Sequence, residues 1–373
     1  VLLRGDFPFV SGLPAILRAG LPGLGVKRMS ETSDDALTTT RAPDAFLFRN
    51  IHPQILLGTA SDRYAGWVGQ IYTRERYEGR TTRRTNTVGG KSFVEETLPV
   101  ESVEEYFEHF SVLEIDYTFY SMLLDKENKP TQTYHVLRKY REHMKEADRV
   151  VLKVPQLVSA QKLRRGGEYL PNETYLNAGM FADRFYGPAV DVLGAALAGM
   201  IFEQEYQRKQ DRVAVEQMAE ALDRFFESVP KDPRYHLELR TDGYLSAPVF
   251  QVMEKHGVGQ VLSHWTWLPP LRKQLAKADH RVFNGGRRRI VRLMTPIGMR
   301  YEDAYAKAHP FDKLVDGMLQ PQMVRETADL MRLAIDEKIE TSILINNRAG
   351  GNAPMIAQMV VEAFLKVETA LRQ

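Results

Sequence analysis

The chain has 373 residues, 43% hydrophobic and 26% charged, an ordinary globular composition with length enough for one large α/β barrel plus an extension. Fifty Lys and Arg stand against 48 Asp and Glu, and a net charge of +2 excludes a global field that would draw the whole surface onto nucleic acid or acidic lipid. Without Cys there are no disulfides, thiolate metal sites or cysteine nucleophiles, and no apolar run reaches the roughly 18 residues of a membrane span.

Residues 1–50 read as a poorly ordered N-terminal extension to a domain at 51–373. Pro8, Pro14, Gly20, Pro22 and Gly23 interrupt the apolar centre that a secretory signal would need, so a cytoplasmic protein is expected. From Ile55 onward short β-type runs alternate with longer amphipathic stretches. Strands are predicted at 55–59, 112–116, 149–154, 200–203, 235–240, 259–262, 290–293 and 342–346. Helices are predicted at 100–110, 133–147, 212–229, 247–256 and 322–337, and a last one opens at Asn352 with Pro354 in its first turn. Eight βα units on one chain imply a closed TIM-type (β/α)8 barrel, with an open doubly wound sheet as the competitor. The segment 73–97, rich in Arg, Thr and Gly, is expected to be an irregular, mobile excursion near the barrel mouth.

The period of two along a strand sorts side chains between lumen and outer face. It turns Glu114 and Asp116, Lys153, Glu238 and Arg240, Arg292 and Asn346 inward, each at the carboxyl end of its strand. In a barrel that end carries the active site.

Several of these residues fall in recognisable motifs. Gly58, Thr59 and Ala60 followed by Tyr64, Gly66 and Trp67 resemble the opening of the YecE-like family, domain of unknown function 72. The run from Glu114 through Asp116, Thr118 and Phe119 to Tyr120 is similar to its Glu-x-Asn-x-Thr-Phe-Tyr signature. Lys153 with Pro155, Glu238 with Arg240, Arg292, and Asn346-Asn347 with Gly350, Ala353 and Pro354 resemble its remaining motifs in order. The resemblance implies a TIM-type barrel and brings no established activity. The chain departs from the family at Asp116, where Asn is usual, at Glu203 to Glu205, where Gln and Pro are usual, and at Thr241, where His is usual.

Four carboxylates (Glu114, Asp116, Glu203, Glu238) and three cations (Lys153, Arg240, Arg292) converge on one mouth in this reading. Crowded carboxylates push their pKa values apart, which makes Glu114 and Glu238 the candidate acid and base. Lys153, Arg240 and Arg292 suit a small anionic, phosphorylated or nucleotide-like substrate, with Asn346, Asn347, Asp116, Tyr120, Trp67, Glu203 and His264 as further contacts. A Schiff-base role for Lys153 requires a lowered pKa, which neighbouring carboxylates oppose. The acids offer oxygen ligands to Mg²⁺ or Mn²⁺, yet cations share the mouth and no paired His accompanies them, so no cofactor is expected. A two-carboxylate glycosidase would need a particular separation of Glu114 and Glu238. Two other readings stay open. The basic 73–97 segment, Arg287 to Arg289 and the loop tryptophans Trp67, Trp265 and Trp267 allow a nucleic-acid-binding or nuclease-type barrel. Alternatively, the charged mouth is a structural ion-pair network on a non-catalytic scaffold.

Overall fold

A computed structural model of the protein describes residues 45–165 and 168–371. Residues 1–44, the bulk of the expected extension, lie outside the described residues. The barrel's body begins before residue 51. Phe48 is fully buried against Phe110, with ring centroids 4.9 Å apart, and Arg49 pairs with the buried Asp148 at 2.8 Å.

Eight parallel strands close into a barrel: β1 (Ile55–Ala60), β2 (Val112–Ile115), β3 (Arg149–Lys153), β4 (Leu197–Gln204), β5 (Tyr235–Leu239), β6 (Gly259–His264), β7 (Arg288–Leu293) and β8 (Glu340–Ile345). Each lies beside its neighbour in sequence, and β8 pairs back onto β1, which ends the open-sheet alternative. Their near-continuous burial follows from cover on both faces. The helices supply the outer cover. In Val215–Ser228, for example, Met218, Leu222, Phe225 and Phe226 recur at helical spacing and are buried. Helix Ala247–His256 ends at Gly257, whose φ of +65° suits a residue without Cβ. The last helix, Ala353–Leu371, is capped by Asn352, whose Oδ1 accepts the Met355 N–H at 2.9 Å. The helix expected at 133–147 is shorter, Gln132–Glu142, because the Asp148 carboxylate takes the Lys145 N–H at 2.6 Å and turns the chain.

Inside the barrel an apolar layer of Leu56, Val112, Val151, Ala198, Ile201, Val261, Ile290 and Leu344 fills the lumen. It forms the floor on which the polar mouth stands. Closure between β1 and β2 depends on Gly58, where a Cβ would sit 1.7 Å from the Val112 carbonyl oxygen. Beside it the Tyr106 hydroxyl accepts the Thr59 N–H at 2.8 Å and donates to the Val112 carbonyl at 2.8 Å, joining the two strands.

The segment 73–97 is regular, contrary to the irregular excursion expected. A helical turn, Arg74–Tyr77, leads into an antiparallel ribbon of Thr82–Val88 and Lys91–Thr97 around Gly89 and Gly90, both at positive φ. Register places Arg83 opposite Glu96 and Arg84 opposite Glu95, and both pairs close, at 2.6 and 2.7 Å. Phe93 and Glu95 anchor the ribbon on Tyr305. A second ribbon, Lys162–Arg165 with Glu168–Pro171, was not expected.

Candidate functional site

Register brings two carboxylates side by side at the carboxyl ends of the strands, since Glu203 on β4 pairs directly with Glu238 on β5. Like charges so placed require cations, and the sheet supplies them. Arg292 from β7 holds Glu114 of β2 through two bonds, Nε to Oε2 at 2.8 Å and Nη2 to Oε1 at 2.5 Å. Its Nη1 donates to Glu238 Oε2 and reaches Glu203 Oε2 at 3.5 Å. Glu203 Oε2 also accepts Lys153 Nζ at 2.7 Å and Arg240 Nη2 at 2.8 Å. Three carboxylates and three cations thus balance.

The network has depth. Glu114 and Glu238 are 0% exposed and Arg292 1%, whereas the side chains of Lys153 and Arg240 are 10% and 12% exposed. Lys153 Nζ lies 3.9 Å from the Phe119 ring and the Arg240 guanidinium 4.2 Å from the Trp265 ring. Burial raises the Glu203 carboxyl, but Arg240, Lys153 and Arg292 together outweigh it and hold it at about 2. At Glu114 burial prevails over Arg292 and the pKa rises, while the carboxylates around Arg292 keep its proton held firmly despite burial.

Several expected roles change. Glu114 and Glu238 do converge with Lys153, Arg240 and Arg292, but both are sealed beneath Arg292 and are not positioned to meet a ligand as acid and base. Arg292 is likewise enclosed by carboxylates and is not a free anion clamp. His264 lies on the outer face: Ser263 shares the lumen phase of Val261, and the His264 ring bonds the Thr295 carbonyl at 2.9 Å from Nδ1. Burial lowers its pKa. Trp67 is fully buried and donates from Nε1 to Asn347 Oδ1 at 3.1 Å. Asn347 Oδ1 also accepts the Ala353 N–H at 2.8 Å. Both residues tie loops together instead of lining the mouth.

The last strand end carries a residue the sequence reading passed over. Asn346 Oδ1 accepts the Arg348 N–H at 3.0 Å and shapes a turn that presents the Arg348 side chain. That guanidinium stacks 4.4 Å from the Tyr301 ring, its Nε is buried without a hydrogen-bond partner, and it has no ion pair among the described residues. Tyr301, Tyr64, Asp116 and Tyr120 act on it electrostatically and, against burial, raise its pKa. Half-buried Asp116, on the loop after β2, has no salt bridge among the described residues. Tyr120, 43% exposed, lies within electrostatic reach of Tyr301, Asp116, Glu203 and Arg348. Its position in Asn346-Asn347-Arg348, directly after a strand end, was the available signal for Arg348.

Below this rim Asp62 is buried, accepting the Tyr140 hydroxyl at 2.8 Å, with Oδ2 unpartnered. Burial pushes its carboxyl from 3.8 up to about 6, against Arg63 and Tyr140 and with help from Asp116. A raised folded-state pKa favours the fold fully below the unfolded value, and that contribution is lost as pH rises through about 6. Asp62→Asn should therefore flatten the pH dependence and add about 1 to 3 kcal/mol near neutrality. Urea melts at about pH 5 and about pH 7.5 test it, and equal destabilisation at both would refute the assignment.

Among the described residues no group of three or more His, Asp or Glu side chains is arranged to hold a metal ion, and no helix is long and apolar enough to cross a membrane. A family model described as "Protein of unknown function DUF72" matches residues 56–372. A DUF72 family protein from Thermotoga maritima MSB8 is 13% identical over 84% of this chain and 99% of that one, with a TM-score of 0.50. Another from Enterococcus faecalis V583 is 15% identical over 83% and 95%, with a TM-score of 0.49. Comparison with curated proteins gave no match. At such identity the likeness to the Thermotoga maritima protein speaks for the fold alone. Together with the family match across nearly the whole barrel, the closed eight-stranded sheet and its six ordered motifs make this chain a member of the DUF72 family of TIM barrels.

Proposed function

We propose that the carboxyl-end mouth of the barrel binds a small anionic molecule, phosphorylated or nucleotide-like, and acts on it by proton transfer. The observation that carries this reading is Arg348, a largely buried guanidinium with an orphaned Nε beside a mouth whose other cations are matched by carboxylates. A fork of donors without a partner suits phosphate or carboxylate. Lys153 and Arg240, both paired with Glu203, stand at the less buried edge of the network. Asp116, without a salt bridge among the described residues and within electrostatic reach of Arg348, replaces Glu114 and Glu238 as the candidate for moving a proton.

A nucleotide-like ligand is favoured by an exposed stacked pair. The rings of Tyr206, just past β4, and Trp267, just past β6, lie 5.5 Å apart at 30°, straddling the end of β5 that carries Arg240. They are 38% and 46% exposed and offer a face to a flat ring. The nucleic-acid alternative draws less support from the basic segment. Arg76, Arg80, Arg83 and Arg84 are each paired with a glutamate, and Arg288 with Glu340.

Titration with inorganic phosphate and with a nucleoside 5′-monophosphate, for wild type and Arg348→Gln, tests the reading. Loss of a charged hydrogen bond should weaken both by about tenfold to a hundredfold. Stability should change by only about 1 kcal/mol, because no ion pair is broken. Equal affinity in the two proteins, or no binding of either probe, would sink it.

A further inference from the structure

A second set of polar groups is left unmatched away from the mouth, on the outer face of the sheet. Val261 pairs with Ile290 across β6 and β7, so Gln260 lies beside Arg289 one step earlier. Alternation turns both away from the lumen, which Val261 and Ile290 face. The helix Leu271–Lys277 and the loop bearing Phe283 and Asn284 cover them, leaving a cavity of about 10 Å³ lined by Gln260, Leu262, Leu275, Phe283, Asn284 and Arg289. Arg289 is 4% exposed and Gln260 8%. Yet Nη1 and Nη2 of Arg289 and Nε2 of Gln260 have no hydrogen-bond partner.

All three orphaned groups are donors. No local acceptor answers them: Glu337 Oε2 stands 3.8 Å from Arg289 Nη2, beyond hydrogen-bond length, and Asn284 Oδ1 is taken by the Gly286 and Arg288 N–H groups. Glu337 gives this buried guanidinium only a long ion pair without a hydrogen bond, and burial outweighs it and lowers the Arg289 pKa. The space suits a particle about the size of one water. A water would bring two further donors into a site already rich in donors, whereas a monoatomic anion accepts from all three and makes the close charge contact that Glu337, at 3.8 Å, does not. We propose that this cavity is a buried halide site, occupied by chloride and held by Arg289 and Gln260. It is independent of the ligand proposed for the mouth.

Thermal melts of the full chain in sodium chloride, bromide and gluconate at equal ionic strength test the site. Halide should raise Tm along a saturating curve that gluconate does not reproduce. Arg289→Met should shift the midpoint of that curve to about tenfold higher halide or abolish it. Crystals grown in bromide should show an anomalous scatterer between Arg289 and Gln260. Should Arg289→Met fail to fold, Gln260→Leu keeps the guanidinium, removes one donor, and should weaken the halide response by about tenfold. A bromide crystal with only water in the cavity, or a variant that folds and responds to halide as wild type does, would overturn the proposal.

Discussion

Arg292→Met should destabilise the barrel by about 3 to 5 kcal/mol at neutral pH, the cost of leaving buried carboxylates without their cation. Met fills similar volume, so packing alone should account for little of the loss. Glu114 would lose both of its bonds and Glu238 its contact to Nη1. The pH dependence separates this cause from a packing defect. In wild type Glu203 is held at about 2, below its ordinary 4.5, so its contribution is fully present above 4.5 and is lost as pH falls through about 2. In the variant the stranded carboxyls take up protons more readily in the folded than in the unfolded state, so acid restores stability. The gap between wild type and variant should therefore narrow from about pH 7 to about pH 4.5 in urea melts. A gap below about 1 kcal/mol, or one that does not change with pH, would mean that the ion pairs do not hold the lumen.

Gly58→Ala should be the most damaging of the Gly→Ala changes among the described residues. With only 1.7 Å between the new Cβ and the Val112 carbonyl oxygen, no rotamer relieves the overlap, because both partners are backbone. β1 and β2 must separate, and the Tyr106 hydroxyl, which bonds both strands, loses one side or the other. A loss above about 4 kcal/mol is expected, seen as insoluble expression or a collapsed thermal transition. A soluble variant melting within a few degrees of wild type would contradict the close approach. The flanking Ala60, which already carries a Cβ, is the natural comparison position.

The strands were legible because parallel barrel strands are buried on both faces and read as short apolar runs bounded by amphipathic stretches. All eight appear close to their expected places, and the period of two put Glu114, Lys153, Glu238, Arg240 and Arg292 in the lumen. Depth was not legible. Arg292 sits only one residue before the end of β7, but its register partners Ser263 and Leu344 place it among the carboxylates and below the rim. Pairing was not legible either, since Arg292 and Glu114 are 178 residues apart and no local spacing records their contact. His264 misled because β6 continues two residues past its expected end, which carries the ring to the outer face. The 73–97 segment misled for another reason. Its arginines look like a loose basic stretch until the glutamates of the returning strand come opposite them, and that depends on the turn at Gly89 and Gly90.

The balanced charge of the lumen also constrains how such a chain can change over generations. Each single replacement of Glu114, Arg292 or Glu238 leaves an odd buried charge, while a joint replacement of Arg292 and Glu114 by apolar residues of matching volume removes one charge of each sign and can be neutral or better. The route to that apolar lumen therefore passes through poorly folding intermediates. Descent alone is enough to retain these three residues once they are interlocked, with no chemistry required of them. Shared identity at the deepest polar positions of such a barrel is thus weak testimony about activity, and the informative positions are those like Arg348 and Asp116, which no ion pair among the described residues holds in place.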